Sequence, residues 1–359
     1  MADGLVWRDT CDATIQRIKA QDEGKSALGI AALMWLSHAE RPLGTDELCH
    51  ALAVELGSKD FNADNAPSIS TLVGCCLGLI TVDNEASTVG LIHPTLKEHL
   101  STRYDIFSRP HSTIAEICLT YLNSQQFKAI PADHSPDMSN TPFLEYCSLY
   151  WGIHAKRDLS GDATSLALQL FQKYDGHISS KLLLEKVNYQ NRRSCASDFD
   201  SDIARHSSSP FSALHCASYF GIQEIVATLI NRGCYMDGRD SRGSTPLLWA
   251  ARNGYEEVVG MLLRQLARAD QSDFSGMTPL LYAIWGGHER VVEILLSAEY
   301  TTSYMPDDLG KTPLSYAAQG GLEHIVKILF DRGLAHPEYH DNSGKTPLSF
   351  AARSGLTEW

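Results

Sequence analysis

Three triplets carry the residue types that hold a nucleotide phosphate: Gly24-Lys25-Ser26, Gly310-Lys311-Thr312 and Gly344-Lys345-Thr346. A phosphate-binding loop reads G-x-x-x-x-G-K-[ST], and its first glycine lets the backbone curl round the phosphates. The positions that should hold that glycine are Lys19, Met305 and Tyr339. Such a loop must also leave a buried strand. Ahead of the first triplet, Ile15 and Ile18 stand at helical spacing, and Asp22 and Glu23 would repel a phosphate. None of the three is a nucleotide site, and no cofactor is expected.

Other chemistry is equally thin. The chain has no H-E-x-x-H, no G-x-S-x-G and no group of cysteines and histidines at zinc spacing, so no catalytic or metal-ligating residue is singled out. The paired acids Glu256-Glu257 and Asp307-Asp308 read as a helix start and a turn rather than an acid–base pair. His215 reads as a hydrogen-bonding residue within a turn network. An enzyme would need groups converging from distant positions, and a non-catalytic protein is the expectation.

The elements that carry these residues are those of a soluble chain. At 359 residues it should hold two or three domains. A net charge of −13 argues against nucleic acid as a direct partner. The apolar run ALGIAALMWL (27–36) is about half what a membrane span needs, and MADGLVWRDTCDA lacks the layout of a secretory signal. The nine cysteines, none in C-x-x-C, read as buried free thiols of a reducing compartment, cytoplasmic or nuclear.

The last two-fifths are periodic. SALHCASYFG (212–221), TPLLWAARNG (245–254), TPLLYAIWGG (278–287), TPLSYAAQGG (312–321) and TPLSFAARSG (346–355) recur at 33 or 34 residues. Asp240-Ser241-Arg242-Gly243 has the residues of a type I turn, Thr245 can cap a helix, Pro246 suits its first position, and Gly254 can end it left-handed. A second helix then presents Val258, Val259, Leu262 and Leu263. One copy cannot bury both its faces, so stacking must supply the core. Lys311 and Lys345 therefore fall in turns between repeats.

The period of 33 with T-P-L-x-x-A resembles the ankyrin repeat. That resemblance implies an α-solenoid whose partners contact the turn tips and the exposed ends of the first helices, the concave face. Those places hold Tyr219 and Phe220; Ser241, Arg242 and Arg252; Phe274, Met277 and Trp285; and Leu309, Lys311 and Gln319. Phe274, Trp285 and Leu309 are apolar at nominally exposed positions and form a candidate protein-binding patch, unless Trp285 folds down on a neighbouring repeat. Trp249, Tyr282 and Tyr316 occupy inward positions and read as core. The fifth copy stops just as its second helix should begin, which reads as truncation.

Nearer the N-terminus, LGIAALMWLSHAE (28–40), RPLGTDELCHALAVEL with Thr45 as its cap, and SISTLVGCCLG (68–78) read as three helices. LITV (79–82) and TVGLIH then suggest a two-stranded wing. The third helix carries no Lys or Arg, so this winged helix is expected to pack rather than bind DNA. Further helices are expected at 111–122, 143–155, 165–174 and 180–187, with a polar loop at 131–142.

ALMWLSHAERPLGTDELCHALAVE, GLITVD, LIHPTLKEHL and FLEYCSLYWGIHAKR together resemble, over about residues 10–195, the segment that follows the nucleotide-binding domain in fungal NACHT proteins. These are similar to heterokaryon-incompatibility receptors and other STAND proteins, many with C-terminal ankyrin arrays. In that family a histidine in an apolar-apolar-His-x-[ST]-x-x-E pattern reaches the phosphate of bound ADP. The resemblance carries this to His93, with Thr95 and Glu98 matching. Pro94 departs from the pattern, and the NACHT domain itself is absent. His93 is then a vestigial nucleotide sensor, served only by a NACHT ATPase in trans, or a cap to the Pro94 helix, or simply packed.

The expected architecture is mostly α: a winged-helix-like domain (1–104), a helical connector (105–195), a linker (196–208) and ankyrin repeats (209–359). The expected function is recognition of a protein partner by the array, in a receptor-derived protein without its ATPase. The alternative is an ankyrin adaptor working on a transcription factor, for instance as a co-regulator of a fungal secondary-metabolite gene cluster.

Overall fold

A computed structural model describes residues 2–128, 140–194, 211–298 and 305–354, and divides the chain into two compact units, Met1–Asn188 and Tyr189–Trp359. The expected linker at 196–208 and the end of the fifth repeat at 355–359 lie outside the described residues, as does most of the 131–142 loop.

The first unit opens with α1 (Ala2–Lys19) and α2 (Glu23–His38). The first phosphate-like triplet is the first turn of α2. Asp22 caps it, its carboxylate accepting from the Lys25 amide at 3.0 Å and pairing with the Lys25 ammonium at 3.0 Å. One turn later Gly29 has a packing role. A Cβ there would stand 2.9 Å from the Cys75 carbonyl oxygen and 2.9 Å from the Ile18 side chain, so only glycine lets α2 approach this closely.

β1 (Leu43–Gly44) leads into α3 (Thr45–Ala53). The cap of α3 is Gly44 rather than Thr45: Glu47 reaches back to accept from the Gly44 amide at 2.8 Å, which makes Thr45 the first helical residue. α4 (Ile69–Cys75) starts at the Ser68 cap and ends three residues earlier than expected, where Leu77 and Gly78 turn the chain with positive φ. β2 (Ile80–Asp83) and β3 (Thr88–Leu91) form the wing, with Val82 opposite Val89. The wing has a third strand, because β1 pairs with β3, Leu43 facing Val89, in the order β1-β3-β2. Two residues are too short to show an alternating pattern, so β1 was illegible beforehand.

α5 (Pro94–Ser101) closes the winged helix. α6 (Pro110–Asn123), the short α7 (Gln125–Lys128), α8 (Leu144–Arg157), α9 (Gly161–Leu170) and α10 (Ile178–Ser194) follow. α6 packs on α8 and α9. The core is aromatic: Trp35 meets Phe143 and Tyr146 edge-on at 5.4 and 5.7 Å, and Tyr121 stacks on Phe127 at 4.3 Å. Such rings bury large areas and add directional ring–ring attraction.

The second unit is a stack of helix pairs: α11 (Ala213–Phe220) with α12 (Gln223–Asn231), α13 (Pro246–Arg252) with α14 (Glu256–Arg264), α15 (Pro279–Trp285) with α16 (Glu289–Leu296), α17 (Pro313–Gly320) with α18 (Glu323–Asp331), then α19 (Pro347–Ser354). First helices pack on first helices and second on second. Thr245, Thr278 and Thr312 cap their helices by accepting from the amides of Leu248, Leu281 and Ser315. Gly254 has φ +73°, as expected. A Cβ there would meet the His288 ring at 2.5 Å, and that ring hydrogen-bonds the Arg252 carbonyl at 3.0 Å. Glycine thus serves both the left-handed bend and the seating of the next repeat.

Candidate protein-binding surface

Four turns between repeats, among the described residues, are each built on a buried aspartate. Oδ1 of Asp240 accepts from the amides of Arg242 (2.8 Å) and Ser244 (2.9 Å). Asp273 holds Ser275 and Met277 in the same way, Asp307 holds Leu309 and Lys311, and Asp341 holds Ser343 and Lys345. The second oxygen takes an aromatic donor nine residues on: Trp249 Nε1 to Asp240 at 2.9 Å, Tyr282 OH to Asp273 at 2.7 Å and Tyr316 OH to Asp307 at 2.6 Å. Burial pushes the Asp273 carboxyl above its ordinary range, against the pull of the Tyr282 hydroxyl and two amides. These carboxylates fasten the turn to the first helix. The sequence bore a signal for this in the repeated Asp-x₈-[Trp/Tyr] spacing.

Turns join one another as well. The amides of Phe274, Asp308 and Asn342 donate to the carbonyls of Arg242 (2.9 Å), Ser275 (3.2 Å) and Leu309 (2.9 Å) of the preceding turn. The result is a continuous edge that fixes the spacing of whatever the turns display.

What they display is aromatic and basic. The Arg252 guanidinium sits among three rings, 5.5 Å from Trp249, 5.3 Å from Tyr282 and 5.5 Å from Trp285. Farther along, the Lys311 ammonium lies 5.4 Å from the Tyr316 ring and 5.3 Å from Phe350, and donates to Gln319 Oε1 at 3.1 Å. Lys345 reaches Phe350 at 5.9 Å. Cations over ring faces are held there by the ring quadrupole.

Most of the expected partner-facing residues lie at this face. Trp285, Phe274 and Leu309 are 38%, 40% and 43% exposed. Gln319 is exposed, and Tyr219, Arg242, Arg252 and Lys311 are half-buried. Two expectations are corrected. Phe220 is 2% exposed and Met277 8%, so neither can meet a partner. Phe220 ends its helix pointing into the stack, and Met277 joins Leu248, Leu281 and Tyr282 in the core between repeats. Trp249 and Tyr282 are core as expected, while Tyr316 is only partly covered. Trp285 neither stands alone nor folds away, since it forms one wall of the Arg252 cage. Phe274 lies over the preceding turn, where a Cβ on Gly243 would meet its ring at 2.8 Å.

Three copies of the ankyrin-repeat profile match the chain, over residues 178–271, 214–304 and 298–358, together about half its length. The chain belongs to the ankyrin-repeat family. The ankyrin match begins within α10, upstream of the expected start at 209. The winged-helix domain of GPI inositol-deacylase also matches, over residues 15–115. No curated protein matches the chain. The ankyrin repeat is a non-catalytic interaction module, which fits the structural role of its buried aspartates.

The histidines with displaced titration lie in the first unit. His154 Nδ1 is 2.8 Å from His111 Nδ1, and His154 Nε2 is 2.9 Å from the Tyr146 hydroxyl, which accepts from the Glu40 amide. With Tyr146 donating to Nε2, His154 donates from Nδ1 to His111 and both rings are neutral. Burial is the main cause that lowers His154 to about 3 and His111 to about 4; Arg157 and His38 disfavour charge on both rings, and His111 does so on His154. This is a packing network between α6 and α8. His93, the resemblance's nucleotide sensor, is exposed and caps α5, its Nδ1 accepting from the Thr95 amide at 3.2 Å. The Cys76 thiol is pushed up to about 12 by burial, and the eight described cysteines are all free. Among the described residues no acid, cysteine and histidine group is placed to hold a metal, and no helix is long and apolar enough to cross a membrane.

Proposed function

We propose that the chain is a non-catalytic interaction protein in which the first helices and turns of the ankyrin array recognise a partner protein. The observation that carries this is the exposure of Trp285, Phe274 and Leu309 on a face whose turns are locked by buried aspartates. A surface that does not rearrange loses less conformational entropy on binding, and exposed aromatics are the usual anchors of binding energy.

The winged-helix unit supports a receptor-derived origin. Its order, a winged helix then a helical connector then ankyrin repeats, follows the NACHT receptors that the sequence resembles. On this reading the protein works in the cytoplasm or nucleus, with a NACHT ATPase among its candidate partners. The test is a pull-down from native extract with mass spectrometry, comparing the intact chain with a folded Phe274→Ala/Trp285→Ala/Leu309→Ala variant. Loss of a specific protein from the variant's set is expected. Identical sets would move the binding site to the first unit.

A further inference from the structure

The charge of the array is divided between its two layers. The first helices α11, α13, α15, α17 and α19 contain no Asp or Glu at all. Beside them stand Arg252 and the turn lysines Lys311 and Lys345, held over aromatic rings. Asp240, Asp273, Asp307 and Asp341 of these turns are buried, each accepting from two amides and the first three also from an aromatic donor, whereas Asp308 is exposed. The second helices are the acidic layer, with Glu224, Glu256, Glu257, Glu289, Glu293, Glu323 and Asp331 against Arg264, Arg290 and Lys327. A chain of net charge −13 thus turns a basic, aromatic face outward from its first helices.

We infer that the occupant of this face is an acidic segment of a partner protein, bound with its carboxylates against Arg252, Lys311 and Lys345 and its apolar side chains against Trp285 and Leu309. The inference rests on the array being the binding surface and adds the chemistry of what it binds. Complementary charge would steer the encounter and set the register of the segment along the turns. Lys311 and Lys345 reach the same Phe350 ring while Arg252 stands at the end of α13, so two of the matching carboxylates lie close together on the segment and the third apart from them.

A single-stranded nucleic acid is also anionic and could use cations and rings together, but it needs open ring faces on which bases stack. Here Trp249 and Tyr282 are buried and tied to aspartates, and a face of Trp285 is covered by Arg252. The rings that remain open are too few to form a stacking platform.

The experiment is selection of a random peptide library on the immobilised full chain, with sequencing of the enriched peptides. They should be net acidic, with Asp and Glu interleaved with aromatic or leucine residues. Binding of the leading peptide should fall by roughly tenfold or more, about 1.4 kcal/mol, in Lys311→Glu. Arg252→Gln should act in the same direction, and Lys311→Glu keeps the test open should the Arg252 cage loosen on substitution. Glu256→Gln, in the other layer, should leave binding unchanged. Enrichment of basic or neutral peptides, no enrichment, or acidic peptides that bind both variants as well as the intact chain would overturn the inference. So would displacement of the peptide by oligothymidylate. A partner lost from the triple-alanine pull-down while acidic peptides fail would leave the array as the binding surface and remove only the acidic segment.

Discussion

Single residues carry much of the array's rigidity, and some of them can be improved or broken predictably. Leu266 holds φ +64° at the end of α14, the place taken by Gly233 (φ +76°) and Gly333 (φ +69°) after α12 and α18. Its side chain is 82% exposed, so little packing offsets a left-handed backbone that costs an L-residue about 1–2 kcal/mol. Leu266→Gly should raise the array's stability by about 1 kcal/mol, read as a later urea midpoint with unchanged slope. Tyr282→Phe should act oppositely. It leaves a buried carboxylate one donor short and should cost roughly 2 kcal/mol in the same measurement. The fifth repeat already carries Phe350 at the equivalent position, where Asp341 keeps its two amides. At this scale much could be read in advance. Threonine caps, prolines at the first helical position and left-handed glycines are local choices, and each shows in a few neighbouring letters. Phe220 and Met277 were misplaced because the repeat pattern tells which turn a residue occupies, not whether a neighbouring repeat covers it.

Elements raise a different kind of question, because their pairings join residues far apart in the chain. Gly29 admits α2 against the end of α4, and Gly29→Ala should shift the Cys75 carbonyl or the helix and cost about 1–3 kcal/mol. Thermal unfolding followed through buried Trp35 would measure it. The neutral chain of His111, His154 and Tyr146 between α6 and α8 makes the first unit acid-sensitive. Both histidines have folded-state pKa values below the unfolded value of about 6.5. Between about 6.5 and 4 the unfolded chain therefore binds more protons, and stability present above 6.5 is lost as pH falls through that window. The slope should approach about 1.4 kcal/mol per pH unit for the fully buried His154, with less from half-buried His111. Hydrogen exchange of the α6 and α8 amides across this window should show it, and His154→Asn should flatten the dependence. Nothing in the sequence near position 111 points to position 154, so this network was illegible. The helices themselves were visible from their apolar spacing, as was the β2–β3 wing.

Over the whole molecule, the period of 33 or 34 residues made the ankyrin array legible at once, since each repeat contacts its neighbours through the same few positions. The winged helix was legible through the order of its elements, though its third strand was not. The proposed binding surface was half legible. Its exposed apolar residues stood out, whereas the Arg252 cage joins side chains of two adjacent repeats and appears only once they are stacked. The central claim is that the first helices and turns of the array form the recognition surface, and hydrogen–deuterium exchange of the full chain, with and without its captured partner, tests it most directly. The account predicts added protection in α13, α15 and α17 and in the turns at 273–277 and 307–311. Protection confined to residues 2–188, or to α12, α14, α16 and α18, would contradict it.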